Sequence, residues 1–184
     1  GHPSCWGSNK YGQANAPQEE VFVDLIAGLA HTCGKRLDDS VQCWGNPDDG
    51  RTAPPSKEFR LIAGGGLHSC GVTFWGNVVC WGKNDVGQTV ALDGDFTALS
   101  LGQRHSCGLD VGGSVLCWGG TEEDGQSLAP KGTFSTMSAG GWHTCAIKTS
   151  GETVCWGLND HGQTDVPEGV RLTEVEAGKH HTCG

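Results

Sequence analysis

The chain has 184 residues and a formal net charge of −9 at pH 7, which excludes the broad basic surface that nucleic-acid phosphates require. No stretch approaches the roughly eighteen consecutive apolar residues that a membrane-spanning helix needs. Glycine contributes 31 residues and aromatic residues only 7%, and no window shows the 3.6-residue apolar period of an amphipathic helix. We therefore expect thin, closely packed strands and almost no helix.

In chain order, residues 1–13 are predicted to form an outer strand and a loop, followed by an exposed crossing at 14–20. Each repeat described below then starts with an inner strand that ends at a glycine, followed by a hairpin and a connecting loop. A glycine at this fixed offset indicates either a positive φ or a close approach of two backbones. The predicted inner strands are 21–27, 59–64, 96–101, 134–139 and 172–177.

The most informative stretch, residues 140–157, reads GGWHTCAIKTSGETVCWG. Cys145 and Cys155 stand ten positions apart in it, on either side of Ser150 and Gly151, and each lies in a run with the two-residue alternation of a β-strand. Two such strands around a small-residue turn predict a hairpin. Folding about Ser150 places the cysteines opposite each other, with Cα atoms about 4.5–5.5 Å apart, which suits a disulfide.

The same frame, His-[Ser/Thr]-Cys followed by Cys-Trp-Gly, recurs along the chain. Further pairs ten residues apart are Cys33 and Cys43, Cys70 and Cys80, and Cys107 and Cys117. Two unmatched halves remain, because Cys5 has no preceding His-Thr-Cys and Cys183 has no following Cys-Trp-Gly. The cysteines at 5, 43, 80, 117 and 155 are 37 or 38 residues apart, which sets the length of the repeat.

Repeats of this length with about four short strands are typical of propeller blades. The sequence predicts that residues 1–184 form one all-β domain, a five-bladed β-propeller of about 37-residue repeats with one disulfide per blade. A bridge between Cys5 and Cys183 would let the amino-terminal strand complete the last blade and close the ring. The alternative is that the chain is a fragment of a longer protein.

The cysteines also indicate the compartment. Five in-register pairs favour an oxidising environment, and therefore a secreted or extracellular protein. In the chain-entropy model each hairpin bridge stabilises the fold by about 3 kcal/mol, and the Cys5–Cys183 bridge by about 5 kcal/mol. Zinc thiolates are the alternative, since a histidine precedes one cysteine of every pair. Structural zinc sites, however, usually space their ligands two to four residues apart, much closer than these cysteines.

The repeat, A-G-x-x-H-[ST]-C continuing to V-x-C-W-G-x-N-x-x-G-Q, resembles that of the regulator of chromosome condensation family. It is most similar to the cysteine-bearing version of crinkly-type plant receptor ectodomains and secreted bacterial proteins. The resemblance covers the whole chain and implies a β-propeller whose loops at the two ends of a central channel carry binding. Well-known members have seven blades rather than five. Their functions range from nucleotide exchange to light sensing and β-lactamase inhibition, so the fold does not select a function.

Two residue types recur at one position of each repeat and are interpreted as structural. The histidines share a sheet face with the cysteines and are expected to hydrogen-bond a neighbouring backbone group, with metal binding, proton linkage or ligand contact as alternatives. The tryptophans face the other side and are expected to pack between blades, each indole N–H finding a partner. These residues are His31, His68, His105, His143, His181, Trp6, Trp44, Trp81, Trp118 and Trp156.

The turns before the recurring histidines vary from repeat to repeat, and they are expected to surround one mouth of the channel. A constant scaffold with diversified loop tips is typical of a recognition surface. Tryptophan, arginine and lysine are side chains that anchor interfaces or stack on sugars. The candidate ligand-binding residues are Leu29, Leu67, Arg104, Trp142, Lys179 and His180.

The connecting loops of the form NxxGQ are rich in oxygen ligands that would suit calcium. Their spacing matches no complete calcium loop, and Asn, Asp and Gly are also what tight turns require, so turn chemistry is the preferred interpretation. The residues concerned are Asp48, Asp49, Asn84, Asp85, Glu122, Glu123, Asp124, Asn159 and Asp160.

No motif for a nucleophilic serine, a phosphate-binding loop or a zinc protease appears, and ten paired cysteines would leave no free thiolate. We therefore predict a non-enzymatic extracellular recognition module with no cofactor and no metal, a monomer or weak oligomer that binds a protein partner. A multivalent lectin is the alternative, but it would need near-identical polar and aromatic groups in every blade. A structural or filament subunit is the second alternative.

Overall fold

The computed structural model describes residues 1–121 and 123–184. Within them the chain is all β, apart from a single 3-10 turn at Asp48–Gly50, and no described helix has the length and apolar character of a membrane crossing. The strands are β1 Phe22–Ala27, β2 His31–Arg36, β3 Val41–Gly45, β4 Phe59–Gly64, β5 His68–Thr73, β6 Val78–Gly82, β7 Phe96–Leu101, β8 His105–Asp110, β9 Val115–Gly119, β10 Phe134–Ala139, β11 His143–Lys148, β12 Thr153–Gly157, β13 Glu176–Ala177 and β14 Thr182–Cys183.

Each repeat forms an antiparallel sheet of consecutive strands. The sheets are β1-β2-β3, β4-β5-β6, β7-β8-β9 and β10-β11-β12, and a fifth sheet contains only β13 and β14. Each complete repeat has three strands, whereas about four were predicted. The inner strands at 59–64, 96–101 and 134–139 have the predicted bounds, whereas the first begins at Phe22 and the last is shortened to Glu176–Ala177.

One disulfide links the second and third strands of each complete repeat, as predicted. In register, Cys33 faces Cys43, and the same pairing holds in the next three repeats. The Cα atoms of the four bridges are 4.0–4.1 Å apart. The first cysteine of every bridge is fully buried, so each bridge lies in the core.

The predicted fifth bridge and the closed ring are wrong for this structure, because Cys5 and Cys183 are free thiols. Residues 5–7 lie outside the strands, so β14 pairs with β13 alone. The amino terminus is held against the first repeat, where Gly1 and Phe22 exchange backbone hydrogen bonds of 2.8 and 3.0 Å. Cys5 therefore stays beside β1 while Cys183 lies at the other end of the row of repeats, which leaves four complete repeats and part of a fifth.

The inner strands lie side by side, β1 next to β4, then β7, β10 and β13. Their carboxyl-terminal ends converge on one cleft that all five sheets line. At this hub the glycine that follows the inner strand of each repeat lets neighbouring backbones approach closely. A Cβ on Gly65, for example, would lie 2.7 Å from both the Gly102 carbonyl oxygen and His68 Cε1. Gly65 does not need a positive φ, so close approach is the physical reason for this glycine.

The recurring histidines join successive repeats. His31, His68, His105 and His143 are buried, and each places Nε2 2.8–2.9 Å from the side-chain hydroxyl that follows the recurring histidine of the next repeat. The expectation of a backbone partner is therefore wrong, although the histidines are structural. His181, in the last and incomplete repeat, is exposed instead.

The hydroxyl fixes the protonation of the ring. Ser106 Oγ donates its proton to the Gln88 carbonyl oxygen at 2.9 Å, so it accepts one from His68 Nε2. His68 Nε2 therefore carries a proton, whereas Nδ1 is buried with no hydrogen-bond partner among the described residues, which favours the neutral ring. Burial, and secondarily the neighbouring His105 and His31, lowers the pKa of His68 from 6.5 to about 3. Burial, and secondarily Arg51, lowers the pKa of His31 to about 4. Burial, and secondarily His143, lowers the pKa of His105 to about 4 as well.

The tryptophans pack between repeats where the repeats are complete. Trp81 and Trp118 are buried, and Trp118 shares a core cluster with Cys70 and Val72 of the preceding repeat. The indoles of Trp44, Trp118 and Trp156 donate to the carbonyl oxygens of Gln13, Gln88 and Gln126. Trp81 Nε1 finds no partner in the described part of the chain. Trp6 is 88% exposed, so its predicted core role is wrong.

Thiol titration of the denatured, unreduced protein tests the disulfide pattern. We expect two reactive thiols per chain, which peptide mapping assigns to Cys5 and Cys183. Replacing Cys107 and Cys117 together with alanine should lower the free energy of unfolding by about 3 kcal/mol and leave the thiol count at two. A count of zero in the unmodified protein would mean that the terminal cysteines pair.

The buried neutral histidines predict a loss of stability in acid. Because their pKa values are lowered in the folded state, the unfolded chain binds more protons below about pH 6.5. The contribution of these histidines to the free energy of unfolding is therefore fully present above that pH. It falls by about 1.4 kcal/mol per pH unit for each such histidine, down to the folded-state pKa of about 4 for His31 and His105 and about 3 for His68.

The variant His68→Gln isolates this effect, because the glutamine amide still donates to Ser106 but does not titrate. We expect denaturant unfolding, measured between pH 7 and 4.5, to show a shallower pH dependence in the variant. Equal slopes in the two proteins would contradict a neutral His68.

Candidate functional site

The variable turns between each first and second strand form a continuous platform at the hub. Their first two residues line the shared cleft. Backbone hydrogen bonds run from turn to turn, from Leu29 N to Gly66 O at 3.1 Å and from Gln103 N to Gly141 O at 3.2 Å. Gly66 N and Gly141 N continue the series to the following repeats. The platform is therefore preorganised, and its side chains are displayed on a fixed backbone.

Three of the six predicted binding residues form one cluster. The Trp142 and His180 rings stack with centroids 5.3 Å apart and planes inclined by 25°. Lys179 Nζ lies 5.4 Å from the centroid of the Trp142 ring, within the range of a cation–π interaction. Trp142 comes from the fourth repeat, whereas Lys179 and His180 come from the turn before β14. The junction of these two repeats thus combines a large aromatic face, a cation and an imidazole.

The other three predicted residues lie apart from this cluster. Leu29 lines the cleft at the first repeat and is 59% exposed. Leu67 is half-buried in the second turn. Arg104 is half-buried and pairs with a carboxylate of the preceding loop, Asp85 Oδ2, at 2.5 Å. The structure brings together only half of the predicted site.

The third and fifth NxxGQ loops bond their own polar groups, which supports turn chemistry over calcium binding there. In the third loop, Asn84 Oδ1 accepts from Thr89 N, and Gln88 accepts from Val86 N and donates to Asp85 Oδ1 at 3.0 Å. The fifth loop repeats these bonds with Asn159 and Gln163. Glu122 of the fourth loop lies outside the described residues.

The fifth loop and the turn of the cluster meet at a second group of side chains. Asp160, His161 and His180 each place one ligand atom within 4.8 Å of the other two. His161 Nδ1 lies 3.5 Å from Asp160 Oδ1, and the rings of His161 and His180 are 5.0 Å apart. The hydrogen bond from Gln163, and secondarily the two histidines, lowers the pKa of Asp160, so its carboxylate is charged at neutral pH.

Sequence reasoning missed an aromatic surface at the opposite end of β5. Phe74 and Trp75 are 56% and 86% exposed at the β5–β6 hairpin tip. They line a cleft of about 710 Å³ together with Pro54 and Pro55. The available signal was the comparison between repeats, since no other hairpin tip carries two aromatic residues. This surface competes with the Trp142 cluster as a binding site.

The family model for the regulator of chromosome condensation (RCC1) repeat matches residues 59–88, 96–126 and 134–163. Each match runs from an inner strand through the hairpin to the NxxGQ loop, so it covers one structural repeat. No curated protein matches the chain.

Solved structures share the fold over the whole chain. The ectodomain of the Physcomitrella patens receptor kinase CR4 is 28% identical with a TM-score of 0.81, over 100% of this chain and 53% of that one. The CRINKLY WD40 ectodomain of the Arabidopsis thaliana receptor kinase ACR4 is 27% identical with a TM-score of 0.77, over 100% and 69%. Prp20p from Saccharomyces cerevisiae is 19% identical with a TM-score of 0.69, over 86% of this chain and 53% of that one. At this identity the likeness shows only a common fold.

The chain thus spans about half the length of the moss ectodomain and about two thirds of the Arabidopsis one. The three matched repeats support a propeller arrangement of the sheets described above. They show that the chain carries repeats of the regulator of chromosome condensation family, in a fold that is similar to the two receptor kinase ectodomains.

Proposed function

We propose that this chain is a non-enzymatic, extracellular recognition module that binds a protein partner through the Trp142 cluster, defined as Trp142, Lys179 and His180. The observation that carries the proposal is the stacking of these side chains on a hydrogen-bonded backbone platform. Similarity to two receptor kinase ectodomains and four buried disulfides support the extracellular setting.

The composition of the cluster indicates the chemistry of the partner. A half-buried tryptophan that is already stacked loses little conformational entropy on binding, so it can anchor an interface. Lys179 is exposed, and its positive charge stands out in a chain with a net charge of −9. The complementary surface is an apolar pocket for Trp142 with a carboxylate placed for Lys179.

The asymmetry of the cluster favours a protein over a glycan. Corresponding positions of the other turns hold Ala30, Leu67 and Arg104 in place of Trp142, so the aromatic face occurs once. A multivalent lectin would require the same face in every repeat. A single asymmetric patch suits one protein surface.

Substitutions taken from sister repeats test the proposal without disturbing the fold. Trp142→Leu introduces the residue of the second turn, and Lys179→Gln introduces that of the third. We expect the double variant to lose at least about tenfold in affinity for a purified partner, since a central aromatic anchor and a charge are removed together. The measurement is surface plasmon resonance, after secreted proteins retained by the immobilised chain have been identified by mass spectrometry.

The control variant is Phe74→Val with Trp75→Gly, which copies the third hairpin tip and should bind normally. Loss of binding in this control, with full binding in the turn variant, would move the site to the hairpin tip and contradict the proposal. Stoichiometric binding on a glycan array, unaffected by the turn substitutions, would instead support the lectin alternative. Concentration-dependent assembly by light scattering, with no bound partner, would support a structural subunit.

A further inference from the structure

We propose that Asp160, His161 and His180 form a Zn²⁺-binding site at the junction of the fifth NxxGQ loop and the following turn. The site shares His180 with the Trp142 cluster, but its assignment does not rest on the proposed partner recognition. Its three ligand atoms already lie within 4.8 Å of one another. Tetrahedral zinc with bonds of about 2.1 Å separates its ligand atoms by about 3.4 Å. The approach required is at most about 1.4 Å, and it falls on the exposed side chains of Asp160 and His161.

The corresponding position of the third NxxGQ loop shows what Asp160 lacks. There Asp85 gives one oxygen to Gln88 of its own loop and directs the other to Arg104 of the next turn. Asp160 bonds Gln163 in the same way, at the same 3.0 Å, but the next turn offers His180 instead of an arginine. His161 also replaces Val86 of the third loop. One imidazole therefore takes the place of the permanent cation Arg104, and a second imidazole stands beside the same carboxylate.

A divalent cation would supply that missing charge. His180 Nδ1 is buried without a hydrogen-bond partner among the described residues, which leaves a nitrogen donor available. Stacking on Trp142 holds the His180 ring in place, so one ligand is already oriented. The bond from Gln163 orients the carboxylate, as the partners of metal ligands commonly do.

The donor set selects the metal. Two imidazole nitrogens and one carboxylate suit Zn²⁺, whereas Ca²⁺ and Mg²⁺ prefer oxygen ligands throughout. The site opens on a cleft of about 490 Å³ lined by His161, His180 and Val166, which leaves room for water in the fourth coordination position.

Isothermal titration with ZnCl₂ tests the site in a His2→Gln, Cys5→Ser, Cys183→Ser background, which removes the amino-terminal histidine and the free thiols as competing ligands. We expect one Zn²⁺ per chain. The exchange His161→Val with His180→Arg, which installs the residues that surround Asp85 and their ion pair, should weaken binding at least tenfold. Asp160→Asn provides the same test by a single, nearly isosteric change.

The reverse exchange, Val86→His with Arg104→His, should create a second site and raise the stoichiometry to two. Imidazole NMR signals of His161 and His180 should shift with Zn²⁺ while those of buried His68 do not. Absence of stoichiometric binding would overturn the proposal. Equal affinity in the His161→Val, His180→Arg and Asp160→Asn variants, or displacement of Zn²⁺ by Ca²⁺, would overturn it as well.

Discussion

The hydrogen bond from a buried histidine to the hydroxyl of the next repeat is the interaction on which the fold depends. A three-stranded sheet cannot bury both faces by itself, so each repeat needs its neighbour. His68 makes this connection by donating to Ser106, whose proton goes to the Gln88 carbonyl oxygen that also accepts from Trp118. The sheet, loop and core of successive repeats are thereby joined through one hydroxyl, and burial keeps the imidazole that donates to it neutral, because it lowers the pKa of His68.

This fixed framework explains why function is placed in the turns. The hub backbones approach so closely that only glycine fits at positions such as Gly65, and consecutive turns are hydrogen-bonded to one another. Residues after these glycines can change without altering the backbone. The same position of different repeats thus holds leucine, arginine, tryptophan or histidine, and the chemistry of each junction is set by two or three side chains.

The junction of the last two repeats concentrates most of this chemistry. There Trp142 contacts His180 and Lys179, and His180 also contacts His161 of the neighbouring loop. The matching junction of the second and third repeats is instead neutralised by the ion pair of Asp85 and Arg104. Among the described residues, Asp160 has no arginine partner at this junction, and Trp142 lies nearby. The junction is therefore open to binding by a partner surface or a cation. Comparison between repeats of one chain therefore identifies the positions at which the repeats have diverged in function.

Cysteine spacing and two-residue alternation are local signals, so the repeat, the all-β fold, four disulfides and three of the inner strands could be predicted from the sequence. The remaining features depend on the tertiary structure. It left Cys5 beside β1 rather than against Cys183, gave the histidines hydroxyl partners, and exposed Trp6. It also paired Arg104 with Asp85 and brought His161 into contact with His180. These outcomes depend on which residues of different repeats face one another, and such contacts across repeats leave no periodic signal in the chain.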